Sequence, residues 1–207
     1  MRLLFVVSFC AWAQIETPRI GVMLDSSGDL RPVDGVASSV TVGDAVETGI
    51  ASVACSRRCV TSTVPAVIAL YGEAALVYSS GRLMRDGVEQ VIHITGEILS
   101  MRVVDGAMEF AVRRDDGVWI VRDEDVAVGA IEGATGPVML LDGAVLFASG
   151  DEVVLRRANG EEQRFPVRAE AFVRMSSGYV QIRGAGAGYA LELRRNRLFQ
   201  LPEVARQ

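Results

Sequence analysis

The feature that most constrains this chain is a recurring turn. Asp25-Ser26-Ser27-Gly28, Tyr78-Ser79-Ser80-Gly81, Arg114-Asp115-Asp116-Gly117, Arg157-Ala158-Asn159-Gly160 and Met175-Ser176-Ser177-Gly178 each place turn-favouring residues and a glycine between two apolar runs. Small or polar residues followed by a glycine with positive φ form a common hairpin loop. Asn196 in "LELRRNRLFQL" can play the same part, because Asn also enters the left-handed region. The runs between the turns alternate. "MEFAVR" sets Met108, Phe110 and Val112 against Glu109, Ala111 and Arg113, and "YVQIR" and "YALELR" behave likewise. "VMLL", "AVLF" and "VIAL" are apolar throughout, as in strands covered on both faces. Stretches with helical spacing are short and broken by glycine or β-branched residues. The expected fold class is all-β.

A second marker has a period. An x-Gly pair precedes a strand-like run at Gly35, Gly72, Gly106, Gly143 and Gly178, with gaps of 37, 34, 37 and 35 residues. Spacing in the thirties suits a propeller-like array of about five small antiparallel sheet units. A β-sandwich or two small β domains are the alternatives. The stretch from Val36 to Val64 fits the period least and is expected to hold an incomplete or remodelled unit. "RIGVML" and "LRPVDG" read as an N-terminal hairpin. It is expected to pair beside the last unit, "YALELRRNRLFQLPE", and close the ring.

On "IGVMLDSSGDLRPVDGV", "AMEFAVRRDDGVWIV" and "GPVMLLDGAVLFASGDEVVLRR" the chain resembles uncharacterised secreted bacterial proteins with a β-propeller-like repeat fold. The resemblance implies architecture and compartment. It carries no catalytic residues, and the "GH…WD" marks of WD repeats are absent.

The first residues agree with that compartment. "MRLLFVVSFCAWAQ" joins Arg2, an apolar run and the small-x-small end Ala11-Trp12-Ala13, the pattern of an export signal over residues 1–13 cleaved near Ala13. Residues 14–207 are then expected to form a single propeller-like domain, periplasmic or secreted. No later segment is long and apolar enough for a transmembrane helix. Net charge is −5, every basic side chain but one histidine is Arg, and acids and arginines are interspersed. With no basic stripe to neutralise phosphates, a nucleic-acid partner is not expected.

Cys10 lies in the export segment, which leaves Cys55 and Cys59 in "ASVACSRRCVTST". An even pair outside the cytoplasm points to a disulfide across a tight hairpin at Ser56-Arg57-Arg58; two free thiols are the alternative. No metal ligand set, cofactor motif or catalytic set is expected. The lone histidine, His93, alternates with Ile92 and Ile94 in an expected strand and has no nucleophile elbow to serve. Asp25, Asp29 and Asp34 have the wrong spacing for a calcium loop, and Asp123-Glu124-Asp125 reads as a solvated loop. Asp115 and Asp116 occupy a slot that Ser-Ser and Ala-Asn fill elsewhere, so backbone geometry explains them.

Two function classes follow. The first is an exported, non-catalytic β scaffold that binds a protein, peptide or glycan through loops. The second is a carbohydrate-active enzyme using paired carboxylates, for which Glu97, Asp105, Glu109 and Asp142 are the candidates.

Overall fold

The computed structural model describes residues 18–36, 39–122 and 125–203. The export segment with Cys10, and the acids Asp123 and Glu124, lie outside the described residues.

Within them the chain is all-β. A three-stranded sheet opens it, with β1 (Arg19–Leu24), β2 (Leu30–Val36) and β3 (Ser39–Val42), followed by a hairpin of β4 (Ser52–Cys55) and β5 (Cys59–Ser62). Three four-stranded antiparallel sheets come next in chain order. They hold β6 (Val67–Tyr71), β7 (Ala74–Ser79), β8 (Arg82–Arg85) and β9 (Val88–Gln90); β10 (Glu97–Val104), β11 (Ala107–Arg114), β12 (Gly117–Arg122) and β13 (Val126–Ala130); and β14 (Val138–Leu141), β15 (Ala144–Ser149), β16 (Glu152–Arg157) and β17 (Glu162–Phe165). The last antiparallel set is β18 (Ala171–Arg174), β19 (Tyr179–Gly184), β20 (Ala187–Glu192) and β21 (Arg197–Gln200). It gains the β4–β5 hairpin through a parallel bridge, Arg174 to Ala54, and so becomes six-stranded.

Apolar cores join successive sheets. Leu76 and Leu83 pack with Phe110 and Val121; Ala111 and Val118 with Leu140, Phe147 and Val154; Leu146 and Leu155 with Ile182 and Leu191. Beyond the last sheet, Met175 meets Ile20 and Val33, while Val173 meets Leu24 and Val53. With β4 lying beside both β18 and β6, the array returns on itself as a propeller-like ring.

This stacking changes the meaning of the alternation in β11. Alternation in an antiparallel strand commonly separates a core-facing from a solvent-facing side, yet Phe110, Ala111 and Val112 are all fully buried. Phe110 and Val112 face the preceding sheet, and Ala111 faces the following one. In a radial stack both faces of a sheet are covered, so alternation selects which neighbour a side chain meets.

Four of the five marker glycines, Gly72, Gly106, Gly143 and Gly178, lie in the turn between the first and second strands of their sheets. Gly35 does not. It sits inside β2, where a Cβ would come within 2.1 Å of the Ser39 carbonyl oxygen. The N-terminal hairpin forms as expected, with Leu24 opposite Leu30. Its docking differs from the expectation. The β1–β3 sheet does not extend the sheet past β21; β1 lies against β19 and β4, and β4 makes the closing bridge. Gly21 permits this approach. The Val22 N–H donates to the Met175 carbonyl at 3.2 Å, and a Cβ on Gly21 would fall 2.3 Å from that same oxygen.

The Val36–Val64 stretch supplies β3, β4 and β5 to two different sheets. The ring position that β4 and β5 fill has only those two strands between β18 and β6.

Candidate functional site

The first strand of each unit (β4, β6, β10, β14 and β18) lines a central channel with a cavity of about 780 Å³. That volume lies within the roughly 300–1,000 Å³ of small-molecule sites. Polar links between neighbouring strands join start to start and end to end, so the five run in one direction. At the starts, the Ala66 N–H donates to Ser52 Oγ at 2.9 Å, and Arg113, paired with Glu97 at 3.2 Å, donates to the Gly136 carbonyl at 2.8 Å. At the ends, Arg58 donates to the Glu73 carbonyl, and Arg102 to the carbonyls of Leu141 and Ala144.

The turn between β14 and β15 sits between two guanidinium groups. Arg102 approaches from β10 with its donors engaged, Nε and Nη2 on Glu109 at 2.8 and 2.7 Å and Nη1 on the two carbonyls. Arg174 approaches from β18 and makes one long contact, Nη2 to Asp142 Oδ2 at 3.4 Å. Its Nε is sealed from solvent and has no hydrogen-bond partner. The Asp142 side chain is 82% exposed, whereas that of Arg174 is 18% exposed.

The carboxylates weighed for paired acid chemistry lie apart in role. Glu109, 3% exposed, is clamped by Arg102 and by Arg122, whose Nε and Nη2 donate at 2.9 and 2.7 Å. Burial alone would raise the Glu109 pKa, but the two guanidinium groups overcome it and hold the carboxyl below the ordinary glutamate value. Such a group is ionised and fully engaged. Glu97 pairs with Arg113 at the channel's start, and Asp142 with Arg174 at its end. Asp105 has φ 51° in the β10–β11 turn, a backbone role.

The other acids are also tied to arginines or backbone. Asp25 accepts from Arg31 Nε at 2.8 Å, Asp29 contacts Arg31 Nη2 at 3.3 Å, and Asp34 lies 3.6 Å from Arg19. Asp125 is bonded to Arg114 and to the Thr95 N–H. Asp115 and Asp116 form the exposed β11–β12 tip, where Asp116 accepts from Trp119 Nε1 at 2.9 Å.

His93 is exposed in the linker between β9 and β10, not in a strand as expected. The neighbouring Ile92 and Ile94 pack onto the core between those sheets, so the alternation reflects an extended linker laid on apolar surface. Cys55 closes β4 and Cys59 opens β5, directly opposite each other with Cα atoms 4.1 Å apart and the sulfurs at bonding distance. Among the described residues no helix is long and apolar enough to cross a membrane.

The residue that the sequence reading missed is Arg174. Aligned on the residue that precedes each first turn (Tyr71, Val104, Leu141 and Met175), Arg174 stands where β6, β10 and β14 carry Leu70, Val103 and Leu140. A charge at an otherwise apolar inner position is the available signal. It emerges only after alignment by strand end, because the marker glycine takes a different place in the turns.

No protein-family model matches the chain, and no curated protein matches it. Among solved structures it is similar to virginiamycin B lyase from Staphylococcus aureus, at 13% identity over 92% of this chain and 86% of that one, with a TM-score of 0.46. It is also similar to PorZ, a bacterial surface component of the type-IX secretion system of Porphyromonas gingivalis, at 13% identity over 89% of this chain and 31% of that one, TM-score 0.44. The extracellular domain of BT4673 from B. thetaiotaomicron gives 9% identity over 89% and 30%, TM-score 0.44. No activity passes from these proteins to this chain.

Proposed function

We propose that residues 14–207 form one exported, non-catalytic β-ring domain, periplasmic or secreted after cleavage near Ala13, that binds a protein, peptide or glycan at the ends of its ring. The observation that carries this reading is the state of the acids. Glu109 is buried between two arginines, and Glu97 and Asp142 are each paired with one. Paired-carboxylate hydrolysis needs two acids converging on one bond, one of them holding a proton. Glu109 is held ionised, and Glu97 and Asp142 sit at opposite ends of the channel.

The test is a hydrolysis screen of the purified protein against pooled polysaccharides, with Glu97→Ala, Glu109→Ala and Asp142→Ala in parallel. No turnover is expected from any of them. Glu109→Ala is expected to lower stability by about 3 kcal/mol, since it strands two guanidinium groups that were paired around a buried charge. Turnover by the unmodified protein that a single one of these changes abolishes overturns the scaffold reading in favour of a carbohydrate-active enzyme.

A further inference from the structure

We infer that the channel end at Arg174 is a binding site for an organic monocarboxylate with a short apolar body. The inference rests on the reading of the ring as a binding module and adds a small-molecule ligand to it. A guanidinium group offers five N–H donors. Arg102 spends its donors within the protein, whereas Arg174 has a single long contact, from Nη2, and its Nε is sealed off without a partner. Nη1 has no partner among the described residues and Nη2 only that long one, and the two terminal nitrogens together form an edge that takes a carboxylate in two parallel hydrogen bonds. Asp142 reaches only Nη2, at 3.4 Å, from a side chain that is mostly in solvent. It occupies the place of such a ligand without filling it, and its exposure lets it swing away.

The rest of the layer specifies what the carboxylate is attached to. Of the residues at the position of Arg174 on the other inner strands, Leu70 lines the cavity half-buried, whereas Val103 and Leu140 pack into the cores between sheets. Ile68 and Leu70 are half-buried and belong to none of the five core clusters among the described residues, so their apolar surface is available to a ligand. Arg183 lies at the start of the channel, where its carbonyl accepts from the Glu170 N–H, and is not part of this end.

Isothermal titration with hexanoate, 1-hexanol and inorganic phosphate tests the inference directly. Hexanoate is expected to bind with one-to-one stoichiometry, and hexanol and phosphate at least tenfold more weakly. Arg174→Met keeps the apolar stem and is expected to weaken hexanoate at least tenfold, while Arg183→Gln stays within twofold. Asp142→Asn, which removes the competing negative charge beside Arg174, is expected to tighten hexanoate at least threefold. Absence of saturable hexanoate binding, equal binding by Arg174→Met, phosphate binding as tightly as hexanoate, or no tightening in Asp142→Asn overturns it. The polysaccharide screen reads hydrolysis and this titration reads the channel, so either reading can fail while the other stands.

Discussion

Asp25 does more in its turn than the neighbouring Ser-Ser-Gly suggests. Its carboxylate accepts from the Ser27 N–H and hydroxyl at 2.9 and 2.8 Å, from the Asp29 N–H at 3.0 Å and from Arg31 Nε at 2.8 Å. Burial pushes its pKa up, but the hydrogen bonds together pull it down to about 2. A carboxyl whose folded pKa is depressed contributes stability that is present above its unfolded value and is lost as pH falls through the folded one. The contribution is about 2 kcal/mol, lost between pH 3.8 and about 2. Urea midpoints measured across that window should fall in the unmodified protein and fall less steeply in Asp25→Asn; parallel curves would refute the assignment. The turn itself was legible from Asp-Ser-Ser-Gly, because backbone chemistry is local. The clamp on Glu109 was not. Its partners Arg102 and Arg122 lie on strands to either side, and alternation alone set Glu109 on the face opposite Phe110 without showing what covers that face.

At the scale of elements, the hairpin of β4 and β5 is the exception among units built of consecutive strands. Cys55 and Cys59 face each other across it, with Cys55 buried and Cys59 exposed. We propose that they are joined in the exported protein, where the compartment is oxidising. Protein taken directly from the periplasm or medium should then resist alkylation until reductant is added, and immediate labelling of Cys59 would contradict the bond. The strands themselves were readable. Glycines with positive φ mark real turns at Gly28, Gly81, Gly117 and Gly160, while Gly178 closes its turn without positive φ, and β-branched runs between the turns are real strands. Gly35 misled because a close backbone approach inside β2 asks for the same residue as a turn. The marker's place in the turn also varies: Gly72 is the first residue after its strand, Gly106 and Gly143 the second, and Gly178 the third after Met175. The residues that precede these turns, Tyr71, Val104, Leu141 and Met175, are themselves 33, 37 and 34 residues apart, so the uneven gaps come from units of unequal length.

Across the whole molecule, what the sequence left open was closure. The bridge between β18 and β4, and the seat of the first sheet on the last, join residues far apart in the chain, and no local pattern encodes such pairs. The clearest of these contacts is Gln181, 2% exposed, whose side-chain amide accepts from the Leu24 N–H at 3.0 Å and donates to the Leu24 carbonyl at 2.9 Å. Gln181→Leu would bury both backbone groups unpaired and should cost about 3 kcal/mol. It should also expose the chain around Leu24 to proteolysis before global unfolding. Unchanged denaturation midpoints and cleavage would show that the clasp is dispensable. The clasp spans 157 residues of sequence. Chains are made from the N-terminus at roughly 5–20 residues per second, so about 8–30 s separate the appearance of Leu24 from that of its partner. Throughout that interval the leading hairpin has no seat, and its valines and methionine must be shielded by something other than this protein's own tail.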